Sequence, residues 1–99
     1  MAEHLRPQRR AAPEAVEGVL SQPGESLDPR IRAWLEPRFE QDFSQVRVHT
    51  DHAAAESADA LSSLAYAVGN HIVFNSGQYA PETLAGRRLL AHEMTHFAQ

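Results

Sequence analysis

The stretch RRLLAHEMTHFAQ, residues 87–99, contains two histidines four positions apart, with a glutamate directly after the first. On an α-helix, residues at i and i+4 lie on one face with Cβ atoms roughly 5–6 Å apart. The imidazoles of His92 and His96 can therefore converge on one zinc ion, whose bonds to nitrogen are roughly 2.0–2.1 Å long. Glu93 lies one step round the helix, where it remains able to take a proton from water. This pattern predicts zinc-dependent hydrolysis with Glu93 as the base.

The third metal ligand is not evident from the motif. A catalytic zinc ion generally has three protein ligands, and no histidine or carboxylate follows His96 in this sequence. We rank His49, at the end of a predicted strand, first among the internal candidates. The alternatives left open are Asp51, His52, His71, Glu14, Glu17 and a residue supplied by another chain or a longer parent protein.

Two tyrosines could stabilise the oxyanion that forms when water attacks a peptide carbonyl. A hydroxyl group that donates a hydrogen bond to the developing charge would serve this purpose. Tyr79 is closer in sequence to the motif than Tyr66, so we expect Tyr79 to be the donor. The alternative for both residues is a packed aromatic ring with its hydroxyl group at the rim of the core.

Composition excludes several classes of protein. The chain has 99 residues, enough for one domain, and it has no cysteine for disulfide bonds or thiolate zinc sites. Its formal net charge of −4 is spread along the sequence, so we expect no nucleic-acid binding. No apolar run approaches the roughly 20 residues of a membrane-spanning helix. Because the N-terminus lacks the apolar stretch of a secretory signal, we expect a cytoplasmic protein that does not use general secretion.

The chain divides into two regions by composition. Residues 1–24 are rich in Arg, Gln, Pro, Glu and Ala, and we expect a mobile arm with a short helical turn around Pro13–Leu20. This quarter of the chain is predicted to be too polar to join a core. Pro23 and Gly24 form a turn signal, so the folded domain is expected to span residues 25–99.

The first half of that domain predicts a helix followed by a strand. Asp28 can cap the helix and Pro29 suits its first position. Pro37 disfavours helical geometry at Glu36, so this helix is expected to be short. The alternation in FSQVRVHT, residues 43–50, then predicts a half-buried strand.

The second half predicts a helix, a hairpin and the helix of the motif. Thr50 or Asp51 caps a helix that is expected to reach about residue 65. Gly69 begins a two-residue turn of type II′, which needs positive φ at its first position. The strand after this turn, His71–Asn75, is expected to be a sheet edge that pairs with substrate. Gly86 is predicted to allow another backbone to pack closely against the last helix, which begins at Pro81 or Thr83. The order indicates an α+β fold.

A longer resemblance covers residues 23–99. Its most specific pieces are EPRF (36–39), DFS (42–44), VRVH (46–49), GNHIVF (69–74) and LLAHEMTH (89–96). This region resembles the core domain family of extracellular contractile injection systems (eCIS). Glu40 stands where the family commonly has glycine, and Met94 where it commonly has leucine.

The resemblance implies a bacterial protein associated with phage-tail-like injection machines, made in the cytoplasm and exported inside the particle. It also implies a minimal zincin-like fold, with His92 and His96 as zinc ligands and Glu93 as the base. Such domains often sit beside toxins and effectors in larger proteins. The expected partners are therefore components of the injection system and a protein or peptide substrate, either the parent chain or an effector.

Two functional hypotheses follow. The first is a zinc metalloendopeptidase that processes its own chain or an effector. The second is a non-catalytic module that loads cargo onto the injection system and whose metal site is structural or lost. A fragment without activity in isolation is a third alternative.

Overall fold

The computed structural model of this protein describes residues 13–98, and it describes the side chains of residues 14–95. The predicted α+β class is confirmed: four helices pack against one four-stranded sheet. The elements in chain order are α1 (Pro13–Leu20), β1 (Glu25–Ser26), α2 (Pro29–Phe39), β2 (Arg47–His49), α3 (His52–Ala60), β3 (Ala65–Val68), β4 (His71–Phe74) and α4 (Leu84–Ala98). No helix in this described part is long and apolar enough to cross a membrane.

The sheet has the order β1-β2-β4-β3, which makes β4 an interior strand. β4 pairs in parallel with β2 on one side and antiparallel with β3 on the other. The prediction that His71–Asn75 forms a sheet edge is therefore wrong. A hairpin has two outer edges, and its own sequence does not decide which one receives the rest of the sheet. Here β2 pairs with β4, so β3 is the hairpin strand that lies at the edge of the sheet.

The pairing register separates the side chains of the strands onto two faces. Val48 pairs with Ile72, and Ile72 pairs with Ala67, so these side chains point to one face of the sheet. Helices α2 and α4 cover this face, where Leu35 and Leu90 complete the larger hydrophobic core.

The opposite face carries a second, smaller core. His49 pairs with Val73, and Val73 pairs with Tyr66, on the face that α3 covers. Val19 of α1 is 2% exposed and packs into this core, with Val16 and Leu20 beside it. The prediction that the first quarter of the chain is too polar to join a core is thus wrong for α1. Residues 1–12 of the predicted mobile arm, which was expected to span residues 1–24, lie outside the described residues.

Helix α2 begins as predicted but continues past Pro37. The Asp28 side chain accepts a hydrogen bond from the backbone N–H of Arg30 (2.8 Å), and Pro29 occupies the first turn. Because proline has no N–H group, the carbonyl group four residues before Pro37 loses its helical hydrogen bond. Pro37 lies on the exposed side of the helix, where water can bind that carbonyl group instead. The helix ends at Phe39, and the next residue, Glu40, adopts the left-handed conformation (φ 52°) that favours glycine.

Two turns set the path between α3 and β4. Helix α3 ends at Ala60, earlier than predicted, because Ser62 adopts positive φ (55°) and turns the chain into β3. In the hairpin turn, Gly69 has a φ of 58° and the φ of Asn70 is not positive. A type II′ turn requires both.

Candidate active site

Helix α4 is positioned by a close backbone contact at its first turn. The Thr83 hydroxyl oxygen accepts a hydrogen bond from the N–H of Gly86 (2.9 Å), which caps the helix. A Cβ atom at Gly86 would lie 1.9 Å from the carbonyl oxygen of Ala80. The predicted close approach of another backbone at Gly86 is confirmed.

The middle of α4 buries one side against the larger core. Leu90 and Met94 are fully buried there, and Glu93, one turn after Leu90, is 2% exposed. His92 lies on the exposed side of the helix. The helix continues without a break to Ala98, so its backbone carries His96 one turn after His92. The side chain of His96 lies outside the described side chains.

Glu93 is an unusual residue for the interior of so small a domain. No hydrogen-bond partner is present for its Oε1 atom among the described residues. Burial disfavours the charged carboxylate and raises the pKa of Glu93 from 4.5 to about 7. Buried polar atoms nearly always have a partner, so an orphaned oxygen calls for an explanation such as a bound water or ion.

His49 lies on the other side of the sheet from α4. Its ring is 4% exposed, and its Nε2 atom lies 2.8 Å from Nδ1 of His71. Burial, followed by the neighbouring His71, lowers the pKa of His49. The structure thus brings His49 together with His71 and does not bring either residue to the face that α4 covers.

The other internal candidates for a third ligand also lie away from α4. Asp51 caps α3 by accepting a hydrogen bond from Ala54 N–H (2.9 Å), and His52 pairs with Glu56 on the exposed side of that helix. Glu14 and Glu17 are exposed on α1. Within the described residues, no three histidine or carboxylate side chains are grouped closely enough to hold one metal ion.

The two tyrosines have different surroundings. Tyr66 is buried in the smaller core, with its hydroxyl oxygen 2.7 Å from the hydroxyl oxygen of Ser57. Tyr79 packs beside the larger core against Phe74, with ring centres 5.1 Å apart. Burial raises the pKa of Tyr79, and a backbone hydrogen bond at Asp28 acts against that rise. The Tyr79 hydroxyl group is therefore directed to the start of α2.

The matched region of the chain was compared with a known family model. The model of the eCIS core domain matches residues 26–99, a region that begins in β1 and includes His92, Glu93 and His96. No curated protein and no solved structure matches the chain. Helix α1 lies outside the matched region although it completes the smaller core.

Proposed function

This chain belongs to the eCIS core domain family, and from that membership we propose that it acts as a zinc-dependent metallopeptidase domain of an extracellular contractile injection system. The observation that carries the proposal is the buried carboxyl group of Glu93, whose Oε1 atom has no hydrogen-bond partner among the described residues and which lies on the same helix as His92 and His96. Its substrate would be a segment of its own parent chain or of an associated effector.

The orphaned oxygen of Glu93 provides a test of whether the residues fit a metal site. A buried polar atom without a partner costs roughly 1–3 kcal/mol, so its presence favours a donor that arrives with a ligand. A water molecule at this site would donate a hydrogen bond to Oε1 and remove that cost. This supports a zinc site in which His92 and His96 would be the ligands and Glu93 would contact the bound water.

Each residue then has a separate chemical role. Zinc, when bound, polarises the peptide carbonyl and makes water more acidic. Because the pKa of Glu93 is about 7, both of its protonation states are populated near neutral pH. The ionised carboxylate takes a proton from the attacking water. The neutral acid then delivers that proton to the amine that leaves when the peptide bond breaks.

Strand β3 offers a place for the substrate backbone. It is the strand of the hairpin that lies at the sheet edge, and α4 packs against it. An extended peptide can add to such an edge through main-chain hydrogen bonds. Leu64 and Val68 are exposed along this edge and can contact substrate side chains.

The test compares the full chain with its Glu93→Gln variant, each supplied with one equivalent of ZnCl2. Cleavage is measured on fluorescein-labelled casein and, by mass spectrometry, on the chain itself. We expect Glu93→Gln to slow cleavage by roughly 10²- to 10⁴-fold, because a positioned base contributes about that much. Zinc content by elemental analysis should stay at one equivalent because Glu93 is not a ligand.

The matched control is Glu82→Gln, which changes an exposed glutamate just before α4 and should leave cleavage unchanged. Equal rates for the chain and for Glu93→Gln would contradict the role of the base. A chain that retains no zinc would contradict the metallopeptidase proposal altogether.

A non-catalytic module that loads cargo is the second candidate function. It is favoured by the positions of His49, His71 and Asp51, none of which completes a set of ligands around α4 among the described residues. This function predicts that Glu93→Gln still co-purifies with injection-system components. It also predicts that neither the chain nor the variant cleaves casein or itself.

A further inference from the structure

Strand β3 has an outer edge with which no other strand of the described chain pairs. The N–H group of Asn75 donates a hydrogen bond to the carbonyl oxygen of Leu64 (2.9 Å), so these two residues form a hydrogen-bonded pair that continues the β3–β4 ladder. Hydrogen-bonded and non-hydrogen-bonded pairs alternate along an antiparallel ladder. Ala65 and Ala67 therefore point their N–H and C=O groups away from β4, and the edge presents two donors and two acceptors.

The side chains along this edge leave it open to another strand. Residues 60–68, ALSSLAYAV, contain no charged residue and no proline, two features that commonly protect an edge strand from further pairing. Three large hydrophobic side chains are exposed in the described part of the chain, and two of them are Leu64 (59%) and Val68 (40%). Because side chains alternate along a strand, both lie on the same face of the sheet as Tyr66.

The sequence of the edge is nearly symmetric about its centre. Residues 64–68 read LAYAV, with an alanine on each side of Tyr66 and a branched apolar residue at each end. A twofold axis at Tyr66 would place Ala65 opposite Ala67 of a second copy, and Ala67 opposite Ala65. This register pairs every outward N–H and C=O group of these alanines and gives four hydrogen bonds. No other antiparallel register pairs all of these groups with one another.

We propose that β3 pairs with β3 of a second copy of this chain, which joins the two four-stranded sheets of a dimer into one. The same register places Leu64 opposite Val68 of the second copy, and symmetry repeats this contact. These are non-hydrogen-bonded pairs, in which Cα atoms are only about 4.5 Å apart and apolar side chains pack together. Twofold dimers, in which both subunits use the same patch, are the most common homo-oligomers.

The dimer should be weak and reversible. Four hydrogen bonds and two apolar pairs make an interface at the small end of the range for specific association. We therefore expect a dissociation constant in the micromolar range or above. Each chain has a formal net charge of −4, so the copies repel each other and added NaCl should strengthen the dimer by screening that repulsion.

Dimerisation would close the edge that the peptidase proposal offers to the substrate backbone. One edge cannot pair with a second copy and with a peptide at the same time, so the two events exclude each other. Cleavage per molecule should therefore fall as the concentration of the chain rises past the dissociation constant. This consequence rests on the proposed peptidase function, whereas the dimer itself does not.

Sedimentation velocity of the full chain, with EDTA present, tests the dimer over a series of concentrations up to the millimolar range. We expect a monomer–dimer equilibrium. Val68→Lys should raise the dissociation constant roughly tenfold or more, because symmetry alters both apolar pairs and brings a charge to each. The matched control is Leu84→Lys, which makes the same change at a residue that is 65% exposed at the start of α4. This control should leave the dissociation constant unchanged.

Disulfide formation tests the register, since the chain has no cysteine of its own. In the proposed dimer, Leu64 lies opposite Val68 of the second copy but roughly 13 Å from Leu64 of that copy, four residues along the strand. A disulfide needs Cα atoms roughly 4.4–6.8 Å apart. An oxidised equimolar mixture of Leu64→Cys and Val68→Cys should therefore yield mainly the mixed dimer, identified by mass spectrometry.

Three results would overturn the proposal. They are a chain that stays monomeric throughout the series, equal effects of Val68→Lys and Leu84→Lys, and cross-links between identical variants as abundant as mixed ones. The outcome is distinguishable from that of the peptidase proposal because sedimentation is measured with EDTA and without substrate. Cleavage by a chain that does not dimerise would contradict the dimer alone, and a dimer that never cleaves would contradict the peptidase function alone.

Discussion

At the scale of single residues, Glu93 shows a conflict between stability and the proposed chemistry. A carboxyl group that is 2% exposed, and whose Oε1 has no partner in the described part of the chain, weakens the fold whenever it is ionised. The same burial brings its pKa to about 7, where a general base works best at neutral pH. Residues that lower stability in this way are common where function requires them.

The pKa of Glu93 predicts how stability depends on pH in the metal-free chain. Because the pKa is raised from 4.5 in the unfolded chain to about 7 in the folded one, the folded state binds the proton more tightly. The stability that comes from the neutral Glu93 carboxyl group is complete below pH 4.5, and it is lost as the pH rises to about 7 and above. Glu93→Gln removes this loss, so at pH 8 the variant should be more stable by roughly 1–3 kcal/mol.

Urea unfolding with EDTA present, followed by circular dichroism at pH 5 and pH 8, measures this difference. The gain should shrink at pH 5, where the carboxyl group of the unmodified chain is mostly protonated when folded. Glu82→Gln, an exposed change, should show no gain at either pH. A gain of the same size at both pH values would mean that the burial of charge is not its cause.

At the scale of elements, helix α4 depends on the absence of a side chain at Gly86. Glycine within a helix costs about 1 kcal/mol relative to alanine, so its position needs a compensating contact. That contact is the Ala80 carbonyl group, which a Cβ atom would approach to 1.9 Å. The same contact brings the segment after β4 against the start of the helix that carries Glu93.

Gly86→Ala should therefore destabilise the protein although alanine is the better helix former. Overpacking of this kind costs roughly 1–3 kcal/mol, and the backbone atoms involved cannot rotate away as a side chain could. Thermal unfolding should show a fall in Tm. Gly18→Ala in α1 is the matched control, since nothing lies within 4 Å of the added Cβ atom. That control should raise stability by about 0.5–1 kcal/mol; a similar gain at Gly86 would exclude the close contact.

At the scale of the whole molecule, two cores lie on opposite faces of one sheet. Helices α2 and α4 contribute side chains to the larger core, and helices α3 and α1 contribute side chains to the smaller core. The family match begins at residue 26, so α1 is a segment outside the matched domain that nevertheless completes one of its cores. The sheet also separates the proposed zinc site at α4 from the His49–His71 pair.

The packing of α1 predicts that its side chains contribute to global stability. Val19→Ala should lower the free energy of unfolding by about 1–3 kcal/mol, because it leaves a cavity in the smaller core, to which Tyr66 and Ala58 also belong. In a chain of this size, 1 kcal/mol corresponds to roughly 4–8 °C in Tm. Val68→Ala, at a position that is 40% exposed, should change Tm little. Equal effects of the two changes would show that α1 does not share the cooperative core.

Sequence alone determined the features that depend on neighbours along the chain. Asp28 caps α2 as predicted, and the caps of α3 and α4 are Asp51 and Thr83, each one of two residues that the sequence left open for that helix start. These caps follow short-range hydrogen-bonding rules, and Gly69 forms the hairpin turn because only glycine adopts its φ at little cost. The α+β class followed from the same local periodicities. The sequence also predicted that the motif lies on one helix, because the i, i+4 spacing of His92 and His96 depends on that helix alone.

Tertiary structure decided what depends on contacts between distant segments. The pairing of β2 with β4 made β4 an interior strand and β3 the edge, a choice that neither hairpin strand encodes by itself. That pairing also set His49 beside His71 and on the opposite face from α4. The burial of Glu93 and of Val19 arose likewise from packing across the sheet, because the solvent exposure of a side chain depends on which other elements cover it.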